Sequence, residues 1–268
     1  MRNLEMELNK KLPNSIKQII EGLSYTIDTF GESNSLVVIF EDYILKISTL
    51  SFDIENELRV YNTLKDKIPI PKIIECVKEN NSIYLLKEKL KGNMLSNPYY
   101  MERPELLYKL ASEAIQLLWS IDINGLDLMN TYDTIMEFGC DCNQKGYLDF
   151  KESDSLITKD FSNFGEIIEY LKKNKIEEDN TLCHGDLCIP NIICDKDKLV
   201  GFIDLGLMGI SNKYHDLAIL YRSIKYNFNG TYGKCYLGYD DNKLFELLGI
   251  KRDEFKLKYY LLLDEILG

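Results

Sequence analysis

Apolar residues recur at helical spacing from the start of the chain. Leu4, Leu8, Leu12, Ile16 and Ile19-Ile20 predict an amphipathic helix over 3–21, interrupted at Pro13. The period then shortens to two, and strands are expected over Tyr25 to Phe30, Leu36 to Phe40 and Tyr43 to Ile47. A small-residue turn, Gly31-Glu32-Ser33-Asn34-Ser35, joins the first two. A helix over about 53–66 carries the stripe Ile54, Leu58, Tyr61 and Leu64. Pro69-Ile70-Pro71 leads into a hairpin of Ile73 to Val77 and Ile83 to Leu86 across the polar turn Glu79-Asn80-Asn81-Ser82. Lys87 to Gly92 reads as a connector. Beyond it the spacing is helical, with Pro104 in a first turn and Leu106, Leu107, Leu110, Ala114, Leu117 and Leu118 repeating up to Trp119, read as core. Residues 127–160 are acidic and show no clear period. Helices are expected again at about Gly165 to Lys173, Tyr214 to Ile224, 241–249 and 253–267. A strand-rich first third followed by a helix-rich remainder is an α+β organisation, and the change near residue 92 divides the chain into 1–91 and 92–268.

Two charges break this pattern. Alternation puts Lys46 on one strand face with Ile44, and Glu57 falls inside the apolar stripe of the following helix. An unpaired carboxylate facing a core is costly, and a Lys46–Glu57 ion pair would resolve both misfits. Two solvated surface charges are the alternative.

The chemistry concentrates between His184 and Asp204. Short apolar runs, Ile192-Ile193 and Leu199-Val200, flank a polar turn at Asp195-Lys196-Asp197, which predicts a β-hairpin. A returning hairpin brings Asn191 and Asp204 together with Asp186 in the loop before them. Two oxygen ligands suited to Mg²⁺ and one carboxylate in reach of a hydroxyl are what phosphoryl transfer from a nucleotide requires. Asp186 is expected to orient the hydroxyl more than to act as a strong base, since an ordinary aspartate has a pKa near 3.9. His184 is read as a hydrogen-bonded structural histidine, and Pro190 stiffens the loop. Ser33 and Ser35 sit where a strand–turn–strand could fold over phosphates, although an ordinary hairpin turn has the same composition.

Composition narrows the classes. The net charge of −11 over 268 residues argues against nucleic acid as a partner. No apolar run approaches a membrane span, and the charged N-terminus has no signal-peptide character, so no membrane association and a cytoplasmic location are expected. Seven cysteines without a Cys-x-x-Cys pair, and only two histidines, do not make a zinc site and fit reduced thiols.

The run His184-Gly185-Asp186-Leu187, three residues, Asn191, then Phe202-Ile203-Asp204-Leu205-Gly206, resembles the aminoglycoside phosphotransferase family, relatives of the eukaryotic protein kinases. Lys213-Tyr214-His215-Asp216-Leu217-Ala218 with Arg222-Ser223-Ile224, and the ending Tyr259 to Glu265, resemble its 3'-phosphotransferase branch. The resemblance implies a two-lobed protein-kinase-like fold, with a nucleotide-binding lobe at 1–91 and a catalytic and substrate-binding lobe at 92–268. It implies ATP or GTP as co-substrate with Mg²⁺, and transfer of the γ-phosphoryl group to a hydroxyl, the 3'-OH, of an aminoglycoside, conferring antibiotic resistance. On the same ground Lys46, braced by Glu57, holds the α- and β-phosphates. The Glu88 carbonyl and Leu90 amide contact the base, Ile44 lies against it, and Asp216 braces the catalytic loop. Glu152 and Asp154 of an acidic loop, with Arg222, are assigned to the substrate pocket. Asp264 and Glu265 join them because acids at a helix C-terminus oppose the macrodipole, so a cationic ligand would account for them. One departure is Leu207, where many relatives carry arginine. A kinase of a metabolic amino alcohol such as choline, and a non-catalytic nucleotide-binding module, remain as alternatives. A protein kinase is disfavoured by the fifteen residues between Gly206 and Arg222.

Overall fold

The computed structural model describes residues 12–27, 35–176 and 180–267. Helix α1 (Asn14–Ile20) precedes the strands β1 (Tyr25–Ile27), β2 (Leu36–Phe40) and β3 (Tyr43–Thr49). Ser33 and most of its turn, the residues before Leu12 and the end of the first expected strand lie outside the described residues. Helix α2 (Phe52–Leu64) then leads to β4 (Ile73–Glu79) and β5 (Ser82–Glu88), and the five strands form one antiparallel sheet in the order β1-β2-β3-β5-β4. The β4–β5 turn is tight because Asn80 and Asn81 both take positive φ, 49° and 63°, the conformation a two-residue hairpin demands and asparagine tolerates.

Strand alternation gives this sheet two unlike faces. Val38, Leu45 and Leu86 fall in register on one, where Leu12 and Ile16 of the N-terminal segment close a small apolar cluster. The other face carries Ile44, Lys46, Leu85 and Lys87 in adjoining register pairs, Ile44 opposite Lys87 and Lys46 opposite Leu85. Leu85 there joins Val60, Tyr61 and Leu64 of α2 in a core that continues through the helical remainder of the chain. The buried side of α2 is Ile54, Asn56, Glu57, Val60, Tyr61 and Leu64; Leu58, placed in the stripe by spacing, is only half-buried. The connector is also shorter than Lys87 to Gly92, because β5 extends through Glu88.

The second half contains β6 (Asn93–Met94), α3 (Pro98–Met101), α4 (Pro104–Trp119), α5 (Thr131–Lys145), α6 (Ser155–Thr158) and α7 (Phe164–Lys173). β7 (Asn180–Cys183), β8 (Ile192–Asp195), β9 (Lys198–Phe202), β10 (Gly209–Asn212), α8 (Tyr214–Asn229), α9 (Lys243–Leu248) and α10 (Glu254–Glu265) follow. β8 and β9 form the expected hairpin, with β6 on its outer edge, and β7 pairs with β10. Helix α5 occupies part of the stretch that had no readable period. Its caps are ordinary, Asn130 accepting from the Asp133 amide and Gly146 closing in the left-handed region. Its buried side, Thr131, Tyr132, Ile135, Met136, Gly139 and Cys142, is too mixed to announce itself. Trp119 packs half-buried against the core.

Candidate active site

The loop that β7 delivers is held from behind. Asp216, fully buried in the first turn of α8, accepts the backbone amides of His184 (2.7 Å) and Gly185 (2.9 Å) with its two oxygens. Burial pushes its carboxyl up to about 6, and the adjoining His184 and the two amides offset part of that shift. Gly185 has φ +83°, and a Cβ there would lie 2.2 Å from the Leu207 carbonyl oxygen, so only glycine fits. The His184 ring lies 2.9 Å from the Ile203 carbonyl. A carbonyl only accepts, so Nε2 carries the hydrogen, and burial lowers the pKa of the ring against the charge of Asp216. His184 therefore ties the loop that carries Asp186 to the residue before Asp204.

Asp186 and Asn191 are in direct contact. The Asn191 amide nitrogen donates to the Asp186 carboxylate (2.9 Å) and to its carbonyl (3.0 Å), which leaves the Asn191 Oδ1 as an acceptor for something else. The hairpin ladder continues one step past Ile192–Phe202, with the Ile203 amide donating to the Asn191 carbonyl at 3.0 Å. Asp204 comes next with φ +60°, a left-handed conformation uncommon outside glycine and a form of strain that collects at functional sites. Its carboxylate is 60% exposed and stands 3.7 Å from the Lys46 ammonium. The hairpin thus brings Asp186, Asn191 and Asp204 to one end. The expectation of an ordinary weak base at Asp186 needs revision. Burial, then the charges of Asp264 and Asp204, push its carboxyl up to about 6, against hydrogen bonds from Cys188 and Asn191.

The Lys46–Glu57 pair is present at 3.2 Å, and Glu57 is fully buried. A partner absent from the sequence reading is Lys87, whose ammonium sits 2.6 Å from the other Glu57 oxygen. Burial alone would raise the Glu57 pKa; Lys87 and Lys46 outweigh it and hold the carboxyl at about 2. Lys87 is itself buried, and Glu57 more than offsets the desolvation that would lower its pKa. Assigning Lys87 to the connector hid it. The signal was the same one that revealed Lys46, a lysine alternating with an apolar residue, here Leu85, on one strand face. Asn56 was also missed. Its amide donates to the carbonyls of Gly206 and Met208, both at 2.9 Å, and pins the loop after Asp204 against α2.

The acids assigned to the substrate pocket are less free than the sequence reading supposed. The Arg222 guanidinium ion-pairs with Asp264 and, at 3.2 Å, with Glu265, so the cation that accounts for these two acids is the protein's own. Glu265 also accepts the Asp154 amide at 2.8 Å. Asp154 caps α6 through the Leu156 amide (2.8 Å) and accepts from the Tyr226 hydroxyl. Glu152 stands exposed in the turn before it. At the connector, Ile44 is half-buried opposite Lys87, the exposed Glu88 donates its amide to the Lys72 carbonyl (2.8 Å), and Leu90 is half-buried.

A loop carboxylate hydrogen-bonded to an asparagine, an exposed aspartate at the end of the returning strand and a lysine–glutamate pair joining β3 to α2 define a phosphotransferase of the protein-kinase architecture. The profile of the phosphotransferase enzyme family (APH) matches residues 29–241, and the chain belongs to that family. Within it the chain stands with the aminoglycoside 3'-phosphotransferases. It is 32% identical to the Enterococcus faecalis enzyme over 88% of this chain and 86% of that one. It is 31% identical to the Staphylococcus aureus enzyme over 92% and 91%. Among solved structures, the aminoglycoside 3'-phosphotransferase of type VIII superposes with TM-score 0.78 at 20% identity, covering 94% of this chain and 96% of that one. An aminoglycoside phosphotransferase of Streptomyces rimosus, solved with ADP and streptomycin, superposes with TM-score 0.75 at 20% identity over 94% and 95%. These likenesses carry the fold.

Proposed function

We propose that this protein transfers the γ-phosphoryl group of ATP or GTP to the 3'-hydroxyl of an aminoglycoside. The observation that carries the reading is the Asp186–Asn191 contact beside an exposed Asp204 that faces Lys46. In the reaction the acceptor oxygen bonds to the γ-phosphorus, the bridging β–γ oxygen leaves with the nucleoside diphosphate, and Asp186 takes the hydroxyl proton. A base poised near 6 is better matched to neutral pH than an ordinary aspartate.

The donor set fits Mg²⁺. Asn191 has its amide nitrogen engaged and its carbonyl oxygen left over, and Asp204 supplies a hard carboxylate oxygen. Asn191 and Asp204 would hold the cation together with the nucleotide phosphates. When bound, Mg²⁺ supplies charge neutralisation at the β- and γ-oxygens. Lys46, reaching past Glu57, adds a second positive charge, and Glu88 and Leu90 offer backbone groups to the base beside Ile44. Glu152, Asp154, Asp264 and Glu265 supply carboxylates for a polyammonium acceptor, with Asp264 and Glu265 held in place by Arg222. Seven free thiols agree with action in a reducing compartment, the cytoplasm.

Turnover measured with kanamycin-like acceptors, gentamicin-like acceptors that lack the 3'-hydroxyl, and choline, each with ATP and GTP, tests the reading. Phosphorylation of the first class alone is expected. Equal turnover of gentamicin-like acceptors refutes the 3' assignment, and turnover of choline alone refutes the aminoglycoside. In Asp186→Ala, turnover is expected to fall by about two to four orders of magnitude.

A further inference from the structure

Glu57 has two oxygens and two lysines, and the contacts are unequal. Lys87 approaches Oε1 at 2.6 Å, whereas Lys46 stands 3.2 Å from Oε2 and 3.7 Å from Asp204. The tighter partner is thus the lysine with no second ion pair within 4 Å among the described residues, Asp204 acting on it only from farther away. Lys87 also lies over the Tyr61 ring, 5.8 Å from its centre, and is as deeply buried as Lys46. It precedes Glu88 at the end of β5 and stands directly across from Ile44 on the sheet face that carries Lys46. The two ammonium groups therefore reach one carboxylate from neighbouring strands, one from the connector end and one from the side of Asp204.

With Lys46 as its only partner, Glu57 would be a buried, uncompensated carboxylate whenever Lys46 turned to a phosphate. Such a group resists losing its cation. A second lysine removes that conflict. We propose that Lys87 is a positioning residue for the nucleotide: it holds Glu57 in place and neutralised from the connector side, so that Lys46 can leave Glu57 Oε2 for the phosphates. The inference rests on Lys46 as the phosphate-binding lysine and is independent of which acceptor is phosphorylated.

Direct binding of MgATP and MgGTP by calorimetry, with no acceptor present, separates this role from the phosphoryl-transfer reading. Lys87→Met is expected to bind nucleotide at least tenfold more weakly than wild type, because Glu57 then retains Lys46. Lys87→Arg recovers most of the affinity, and adding Glu57→Gln to Lys87→Met recovers part of it by releasing Lys46. A Lys87→Met protein that melts earlier but binds nucleotide like wild type overturns the proposal and leaves Lys87 as charge compensation alone. Absence of nucleotide binding by wild type overturns the kinase reading and this inference together. Binding by wild type without turnover of any aminoglycoside overturns only the substrate. Should Lys87→Met not fold, amine acetylation of wild type followed by peptide mass spectrometry decides the matter. Lys46 is expected to react at least tenfold faster than Lys87 and to be protected by nucleotide, and equal reactivity of the two, with or without nucleotide, overturns the proposal.

Discussion

In the role proposed for it, Asp186 must be ionised to accept a proton and yet basic enough to want one. Burial together with the charges of Asp264 and Asp204 supplies the second property by raising its pKa to about 6. The sign follows directly: below about 6 the carboxyl is protonated and cannot serve as base. kcat/KM is therefore expected to fall roughly tenfold per pH unit on the acid side of that value. A profile flat down to pH 4.5 would remove Asp186 from the proton-transfer role. Glu57 carries the opposite shift, from 4.5 to about 2. A carboxyl whose folded pKa is depressed contributes stability above its unfolded value and loses it as pH falls toward the folded one. Its contribution, about 3 kcal/mol by linkage, is expected to disappear between about pH 4.5 and 2. Urea denaturation of Glu57→Gln beside wild type across that window measures it, and parallel curves at all pH values would contradict the assignment.

Among the elements, α2 does more than carry Glu57. Its Asn56 supplies the two hydrogen bonds that fix the loop after Asp204, and Gly206 in that loop packs so closely that a Cβ would lie 3.1 Å from Asp53 Cβ. Asn56→Ala leaves two carbonyls short of a donor. It is expected to cost about 1–3 kcal/mol in denaturant unfolding and to lower turnover with it, since the loop it frees adjoins Asp204. The joint between α8 and α10 obeys the same logic with charge. Arg222 is 18% exposed between Asp264 and Glu265. Arg222→Met leaves two carboxylates in like-charge contact and is expected to destabilise the protein by about 3 kcal/mol. Loss of acceptor affinity without loss of stability would show instead that the arginine serves the substrate and not the fold.

Over the whole molecule, a net charge of −11 suits the proposed acceptor, which carries several ammonium groups. Association of opposite charges is screened by salt, so the acceptor KM is expected to rise between about 0.05 and 0.5 M ionic strength while the nucleotide, an anion, shows no such rise. At the same scale, the two faces of the five-stranded sheet divide the labour. One closes against α1, and the other turns its lysines toward α2 and Asp204. No helix among the described residues is long and apolar enough to cross a membrane.

Local chemistry was legible wherever a short stretch contains its own reason. The β8–β9 hairpin is written in two apolar runs about a polar turn, so Asn191 and Asp204 could be brought together on paper. The Lys46–Glu57 pair followed because each residue alone broke a periodicity that strand and helix geometry impose. What required the tertiary structure were partners set by contacts distant in sequence. Lys87 shares Glu57 only because β5 pairs with β3, Asn56 meets Gly206 and Met208 across 150 residues of chain, and Arg222 neutralises acids that a linear reading left to a ligand. A carboxylate pKa belongs to this second class as well, since desolvation depends on the walls around a group and no stretch of sequence contains its own walls.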